Sequence, residues 1–207
     1  MEKVKTEKDL GVIIDNKLRF REQVVKARNA ANRAVGFIAR NVNYKSKEVI
    51  RNLYISYVRP HLEYCAQAWA PHYEMDLDLL EKVQRRATKL VNGFGDLEYE
   101  ERLKRLDLFS LRRRYIRGDL IEVFKMFKGL NGLNPENLFE LDNRIGRGNC
   151  KKIKKQRFNL DIRKFFFSQR IINLWNKLDN DLIESDSLDT LKQKLDIDIY
   201  MAKEGYI

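Results

Sequence analysis

The side chains whose types and spacing could support chemistry in this sequence are mostly cationic, and they cluster beside aromatics. Three groups are compact: Arg85-Arg86 with Lys89, Arg112-Arg113-Arg114 before Tyr115, and Lys151-Lys152-Ile153-Lys154-Lys155 leading into Arg157 and Phe158. A fourth is spread along one helix face: Lys26, Asn29, Arg33 and Arg40, with Gly36 among them. Lysine and arginine hold phosphates at any base sequence, and exposed aromatic rings stack on bases. A glycine on a basic face leaves room for a phosphate backbone to approach. The plain alternative for each group is a solvated helix face. Several such groups on one chain favour binding, although the lysine-rich run also has the composition of a nuclear localisation signal.

Other constellations are incomplete. His61, Cys65 and His72 could suggest zinc, but no fourth ligand stands near them. Their neighbours Leu62, Tyr64 and Trp69 make core packing the better account. Lys151 and Lys152 could lower the pKa of Cys150, yet no histidine with an orienting partner accompanies it. Gly93-Phe94-Gly95 and Gly146-Arg147-Gly148 lack the lysine-serine pair of a P-loop and the dinucleotide spacing. The second reads as a turn. No Asp-Asp dipeptide occurs, and the acids Asp76, Asp78 and Glu81 suit the start of a helix. No complete catalytic constellation emerges, and no small-molecule substrate or resident cofactor is expected.

The elements that must position these groups are mainly helices. Leu10 to Ile14 is a short β-like run closed by Asp15-Asn16 and needs a strand partner. Phe20 to Asn41 is amphipathic, with Val24, Ala27, Ala31, Val35 and Ile38 at three- and four-residue steps. Ser46 is expected to cap a helix running to Val58 through Val49, Ile50, Leu53, Tyr54 and Tyr57, interrupted at Arg59-Pro60. Residues 61 to 70 read as a buried helix ending at Pro71. Asp76 is expected to cap the next, which Gly93 stops. A short helix over 98–106 and a longer one from Ser110 to Lys128 follow. Residues 143 to 163 are irregular, an extended hairpin or a loop ordered on binding. Residues 165 to 178 look helical, and Ser187 caps a last helix. Beyond about Asp196 the acidic tail is expected to fray.

With 207 residues the chain can bury a core, and 11 Phe, 9 Tyr and 2 Trp argue against disorder. Lys plus Arg number 41 against 30 acids, a formal charge of +11 that calls for an acidic partner. The excess is blocked. Lys17 to Arg59 holds eleven basic residues against Glu22 and Glu48, and Arg144 to Arg170 holds ten against Asp161. Two cysteines build no disulfide scaffold, which fits a reducing, intracellular and, for a nucleic-acid binder, nuclear setting. No stretch approaches the ~20 apolar residues of a membrane span, so no membrane partner is expected.

Several strings resemble one family. KDLGVIIDNKLRF at 8–20, KARNAANRAVGFIARN at 26–41 and LYISYVRPHLEYCAQAWAP at 53–71 are similar to the C-terminal part of reverse transcriptases from non-LTR (LINE-type) retrotransposons of the jockey-like kind. So are LLEKVQRRATKLV at 79–91, the stretch 97–130, and RKFFFSQRIINLWNKL at 163–178, in the same order. Asp179 departs from the pattern, standing where relatives often carry proline. The resemblance implies that residues 1–16 are a remnant of the last palm strand. It implies a thumb-like helical region over 17–95 and a further helical region over 96–207 carrying the basic loop 143–163. RNA, DNA or both would be partners. The fingers, the (Tyr or Phe)-Ala-Asp-Asp motif and an endonuclease domain are not among the matching strings. This stretch alone is therefore expected not to polymerise, since the Mg2+ ions would be held by a palm, supplied if need be by another chain. Readings kept beside this one are a stand-alone DNA- or RNA-binding protein, a helical interaction module using the apolar 61–71 segment, and a relic without a selected role. The expected fold class is mainly α: a multi-helix, thumb-like assembly with one short N-terminal strand and a hairpin near 150–163.

Overall fold

A computed structural model describes residues 5–142 and 149–201. The described residues are mainly helical, with one short two-stranded antiparallel sheet at the N-terminus. They form two compact units, residues 1–115 and 116–207. Arg144, Arg147 and the Gly146-Arg147-Gly148 turn lie outside the described residues.

The expected single strand has a partner. β1 (Thr6–Asp9) pairs with β2 (Val12–Asp15), Asp9 opposite Val12. The charged string Thr-Glu-Lys-Asp carries no strand signal of its own. Leu10 and Gly11 both take positive φ, 44° and 87°, the geometry of a two-residue hairpin turn that matches strand twist. Leucine rarely adopts it. Two hydrogen bonds hold it there: the Tyr64 hydroxyl donates to the Leu10 carbonyl at 3.0 Å, and Lys26 Nζ donates to that of Gly11. The loop after β2 places Leu18 and Phe20 in the left-handed region as well. Asp15 holds it by accepting the N–H groups of Lys17 at 2.9 Å and Phe20 at 2.6 Å. Burial pushes this carboxyl up, but the backbone donors outweigh burial and leave it below the usual range.

α1 (Arg21–Asn41) forms as its periodicity predicts, burying Val24, Ala27, Ala31, Val35 and Ile38. Ser46 Oγ accepts the Val49 N–H at 3.3 Å and starts α2 (Lys47–Leu53). The chain is not interrupted at Arg59-Pro60. A π-helical turn over Tyr54–Val58, in which the Arg59 N–H reaches the Tyr54 carbonyl, feeds directly into α3 (Arg59–Glu63). Proline sits near the start of α3, where a missing N–H costs little. In this wider turn a four-residue step returns to the same side, so Tyr54, Val58 and Leu62 are all buried. Tyr57 is thereby turned out and 60% exposed.

The expected buried helix over 61–70 is broken. Cys65 takes φ 53° between α3 and α4 (Ala66–Trp69). Leu62, Ala66 and Trp69 are buried, while His61, Tyr64 and Cys65 are exposed. Asp76 is not a cap either. α5 (Glu74–Thr88) begins two residues earlier, and Asp76 is buried against Arg21. α5 packs along α1, with Leu80, Val83 and Ala87 in the same core as the α1 stripe. Its other side carries polar groups that reach α6 (Tyr99–Leu106) and the start of α7 (Leu111–Phe127). Glu81 accepts the Leu111 N–H at 2.9 Å and the Tyr99 hydroxyl. Gln84 accepts from the Tyr54 hydroxyl at 2.6 Å and donates to the Phe109 carbonyl at 2.8 Å. Residues 96 to 115 thus pack with the first unit.

In the second unit, Leu120, Val123 and Phe124 of α7 point into a core with Trp175, on which Phe127 stacks at 5.3 Å between centroids. A one-turn 3-10 helix, Pro135–Asn137, follows. The expected single helix over 165–178 is broken: after α8 (Asp161–Lys164), which forms in the stretch expected to be irregular, come α9 (Phe167–Arg170) and α10 (Ile172–Lys177). Extended backbone at Phe166 separates α8 from α9. α11 (Asn180–Ile183) and α12 (Leu188–Met201) complete the unit, Ser187 accepting the Thr190 N–H at 3.1 Å. The α12 backbone stays helical past Asp196, where fraying is expected from the acidic tail, and 202–207 lie outside the described residues.

No hairpin forms within 150–163. Ile153 bridges instead to Leu141, and its backbone N–H and C=O are both taken by the Asn176 side-chain amide, at 2.9 and 2.7 Å. Residues 140–142 pair with 152–154 on one edge, the Asp142 N–H donating to the Lys152 carbonyl at 2.9 Å and the Lys154 N–H to the Glu140 carbonyl at 2.7 Å, and the Asn176 amide takes the other edge.

Two outcomes follow from these bonds. Gln84→Ala leaves the buried Tyr54 hydroxyl and Phe109 carbonyl unpaired, and is expected to lower unfolding free energy by about 2–3 kcal/mol. Urea denaturation would register this as a lower midpoint at unchanged slope. Asp15→Asn removes a depressed carboxylate, whose contribution is present above the unfolded pKa and lost as pH falls through the folded one. Its melting temperature should fall below wild type at pH 7, with the gap closing under strong acid.

Candidate nucleic-acid interface

A groove of about 900 Å3 opens beside α1 in the first unit. Asn29, Arg33, Gly36, Phe37 and Arg40 line it from α1. They recur at three- and four-residue steps along the side opposite the buried stripe, as a 3.6-residue period requires. Tyr57 and His61 enter from the π-helical turn and α3, and Arg86 from α5. Arg86 is tethered to α1 by a 3.2 Å hydrogen bond from Nη1 to Asn32 Oδ1.

The lining contains no carboxylate. Among the described residues, Arg33 and Arg40 have no acidic partner. Three guanidinium groups therefore face a concave surface without neutralisation, and a concave low-dielectric wall concentrates such a field. Gly36 lies on the floor. A Cβ there would meet only Arg40 Nη1, at 3.4 Å, so the space the glycine leaves lies beneath the Arg40 side chain.

The fifteen side chains singled out from sequence divide sharply. Asn29, Arg33, Arg40 and Arg86 come together at the groove. Lys26 does not, since its ammonium is spent on the Gly11 carbonyl of the hairpin turn. Arg85 lies over the Tyr99 ring at 4.6 Å, a cation–π contact outside the groove, and Lys89 is exposed at the end of α5. The arginine triplet is largely structural. Arg112 pairs with Glu74, and Arg114 forms a two-pronged bridge to Glu63 with both contacts at 2.7 Å. Arg113 makes no ion pair among the described residues.

In the second unit the lysine run is mixed. Lys151 Nζ sits over the Phe127 ring at 5.7 Å, Lys152 is half-buried, and Lys154 pairs with Glu140 at 2.5 Å. Lys155 and Arg157 are exposed. Neither is among the residues that line the groove.

Phe37, Tyr57 and His61 are groove residues that the charge pattern does not reveal. Phe37 had a signal: it falls out of phase with the buried stripe of α1. Tyr57 had none, because its outward position depends on the π-helical turn.

The buried acids are held by protein groups. Asp76 pairs with Arg21, Glu81 accepts two protein hydrogen bonds, and Asp119 is bound two-pronged by Arg170 at 2.8 and 3.0 Å. Among the described residues no three His, Cys, Asp or Glu side chains converge on one point. No helix among them is long and apolar enough to cross a membrane.

No protein-family model, no curated protein and no solved structure matches the chain.

The division between structural and free arginines has a direct consequence. Arg114→Ala strands Glu63 and is expected to cost about 1–3 kcal/mol, between the values for exposed and buried pairs. Arg33→Ala and Arg40→Ala should leave stability within about 0.5 kcal/mol of wild type. Parallel thermal melts of the three variants would test this, and equal losses would refute the division.

Proposed function

We propose that this chain binds nucleic acid through the α1 groove, as the thumb and following helical region of a non-LTR retrotransposon reverse transcriptase. The observation that carries the reading is the acid-free lining with Arg33, Arg40 and Arg86. Among the described residues, no Asp or Glu lines this concavity. Three of the six strings similar to that family fall on α1, on 53–71 and on α5, which are the elements that build the groove.

The mechanism is electrostatic. Each arginine that meets a phosphate releases condensed counterions, and binding is read from the backbone without base sequence. Asn29 adds a neutral donor to phosphate or sugar. The exposed Lys155 and Arg157 offer phosphate contacts on the second unit. In this reading the chain holds and positions nucleic acid, and the carboxylates for nucleotide transfer come from a palm outside the residues described. The alternative of a protein-interaction module on 61–71 loses its apolar surface, because Leu62, Ala66 and Trp69 are in the core.

Fluorescence anisotropy of the purified chain with labelled duplex and single-stranded oligonucleotides, titrated with salt, tests the proposal. Binding is expected at low salt, with log affinity falling linearly against log salt. Arg33→Ala with Arg40→Ala should weaken binding uniformly across sequences and flatten the slope by about 0.7–0.9 for each phosphate no longer held. Folded protein that binds none of the probes at low salt would sink the reading.

A further inference from the structure

Phe37 and Tyr57 are 58% and 60% exposed at the groove. Neither ring contributes to the core, and each leaves a large apolar face in water, an arrangement the fold does not need. Both stand among arginines. Arg33, Phe37 and Arg40 are at positions i, i+4 and i+7 of α1, on one side of the helix. At 1.5 Å per residue the ring sits about 6 Å beyond Arg33 and about 4.5 Å before Arg40 along the axis. A flat apolar surface is thus flanked on both sides by a cation.

We propose that the α1 groove is a single-strand site, where an unpaired base stacks on Phe37 and Tyr57 while Arg33 and Arg40 hold the phosphates on either side. This rests on the nucleic-acid reading above and names which form of nucleic acid the groove takes. The argument is one of complementarity. In a duplex both faces of each internal base are covered by its neighbours, so exposed rings on a protein find nothing to stack on. In a single strand each base presents a face, and stacking is indifferent to which base it is. Phosphates alone would satisfy the three arginines but would leave the two rings in water. The π-helical turn is part of the device, because it keeps Tyr54 and Val58 in the core while swinging Tyr57 out to the groove. His61, four residues on and also lining the groove, offers a further planar surface.

The test uses the whole chain and four labelled probes by anisotropy at fixed low salt: an oligothymidylate, an abasic oligonucleotide of equal length, a duplex of equal length, and polyglutamate. The abasic strand carries the phosphates without bases. The oligothymidylate is expected to bind at least about tenfold tighter than the abasic strand, the scale of one to two stacked bases. Phe37→Leu and Tyr57→Leu, which keep apolar volume without an aromatic face, should each remove most of that gap and leave abasic binding unchanged. Phe37→Trp and Tyr57→Phe should retain it. Both positions are exposed, so the variants are expected to fold, and a thermal melt of each checks this. A strand containing 2-aminopurine should show quenched fluorescence on binding that Phe37→Leu relieves. Equal affinity for oligothymidylate and abasic strand, or tighter binding of the duplex, would overturn the single-strand site while leaving phosphate binding intact. Polyglutamate binding as tight as oligothymidylate would assign the groove to an acidic protein and overturn it. Failure to bind any of the three nucleic-acid probes would remove both this proposal and the reading beneath it.

Discussion

The first unit depends on two buried polar side chains of α5. Glu81 and Gln84 each make two hydrogen bonds, and together they join α5 to Tyr54 of the π-helical turn, to Tyr99, to Phe109 and to the first residue of α7. Buried polar groups are costly unless every partner is present, so this set specifies one arrangement of the helices around α5. Burial holds the Glu81 carboxyl above its usual range, against the pull of the Tyr99 hydroxyl and the Leu111 N–H. The same burial raises the Tyr99 and Tyr54 hydroxyls, which keeps both as donors. With one side of α5 committed in this way, its apolar side is left to receive α1. The opposite face of α1 stays open within the first unit, and that face lines the groove.

How much of this could be read from sequence depends on whether a residue's environment is set locally. The α1 stripe and the Ser46, Ser110 and Ser187 caps are local, and the structure has them where pattern and cap chemistry put them. Lys26 was not legible, because the carbonyl that takes it belongs to a hairpin turn fifteen residues away. β1 was hidden for a related reason: an edge strand of Thr-Glu-Lys-Asp has no apolar face, and only the pairing with β2 defines it. Tyr57 escapes the helical pattern because a π-helical turn changes the period that assigns faces. The helix expected from 165 starts only at Phe167, because Phe165, Phe166 and Phe167 are indistinguishable in composition yet differ in burial.

Charge clusters overstate a binding surface when read alone. Arg112-Arg113-Arg114 is the densest run in the chain, yet two of its three members are held by Glu74 and Glu63. The acids that take them lie 38 and 51 residues away, beyond any local window. The groove arginines are spread over α1 and α5, and no sequence window shows them as a cluster. What distinguishes them is the absence of a carboxylate around them, a property of the fold and not of their neighbours in sequence.

That absence matters because of how charge acts in salt. At physiological ionic strength a field from exposed charges decays over about 8 Å, so a net charge of +11 spread over the surface does little to choose a partner. Arg33 and Arg40 lie about 10 Å apart along α1, near that length, and Arg86 is brought to the same concavity by Asn32. Their fields overlap across the groove, and a bound polyanion would displace the water that screens them. A carboxylate anywhere in the lining would cancel one of the three. The exposed rings then narrow the choice further, since a polyanion with flat apolar faces satisfies both the charge and the stacking surface, and one without them satisfies only the first.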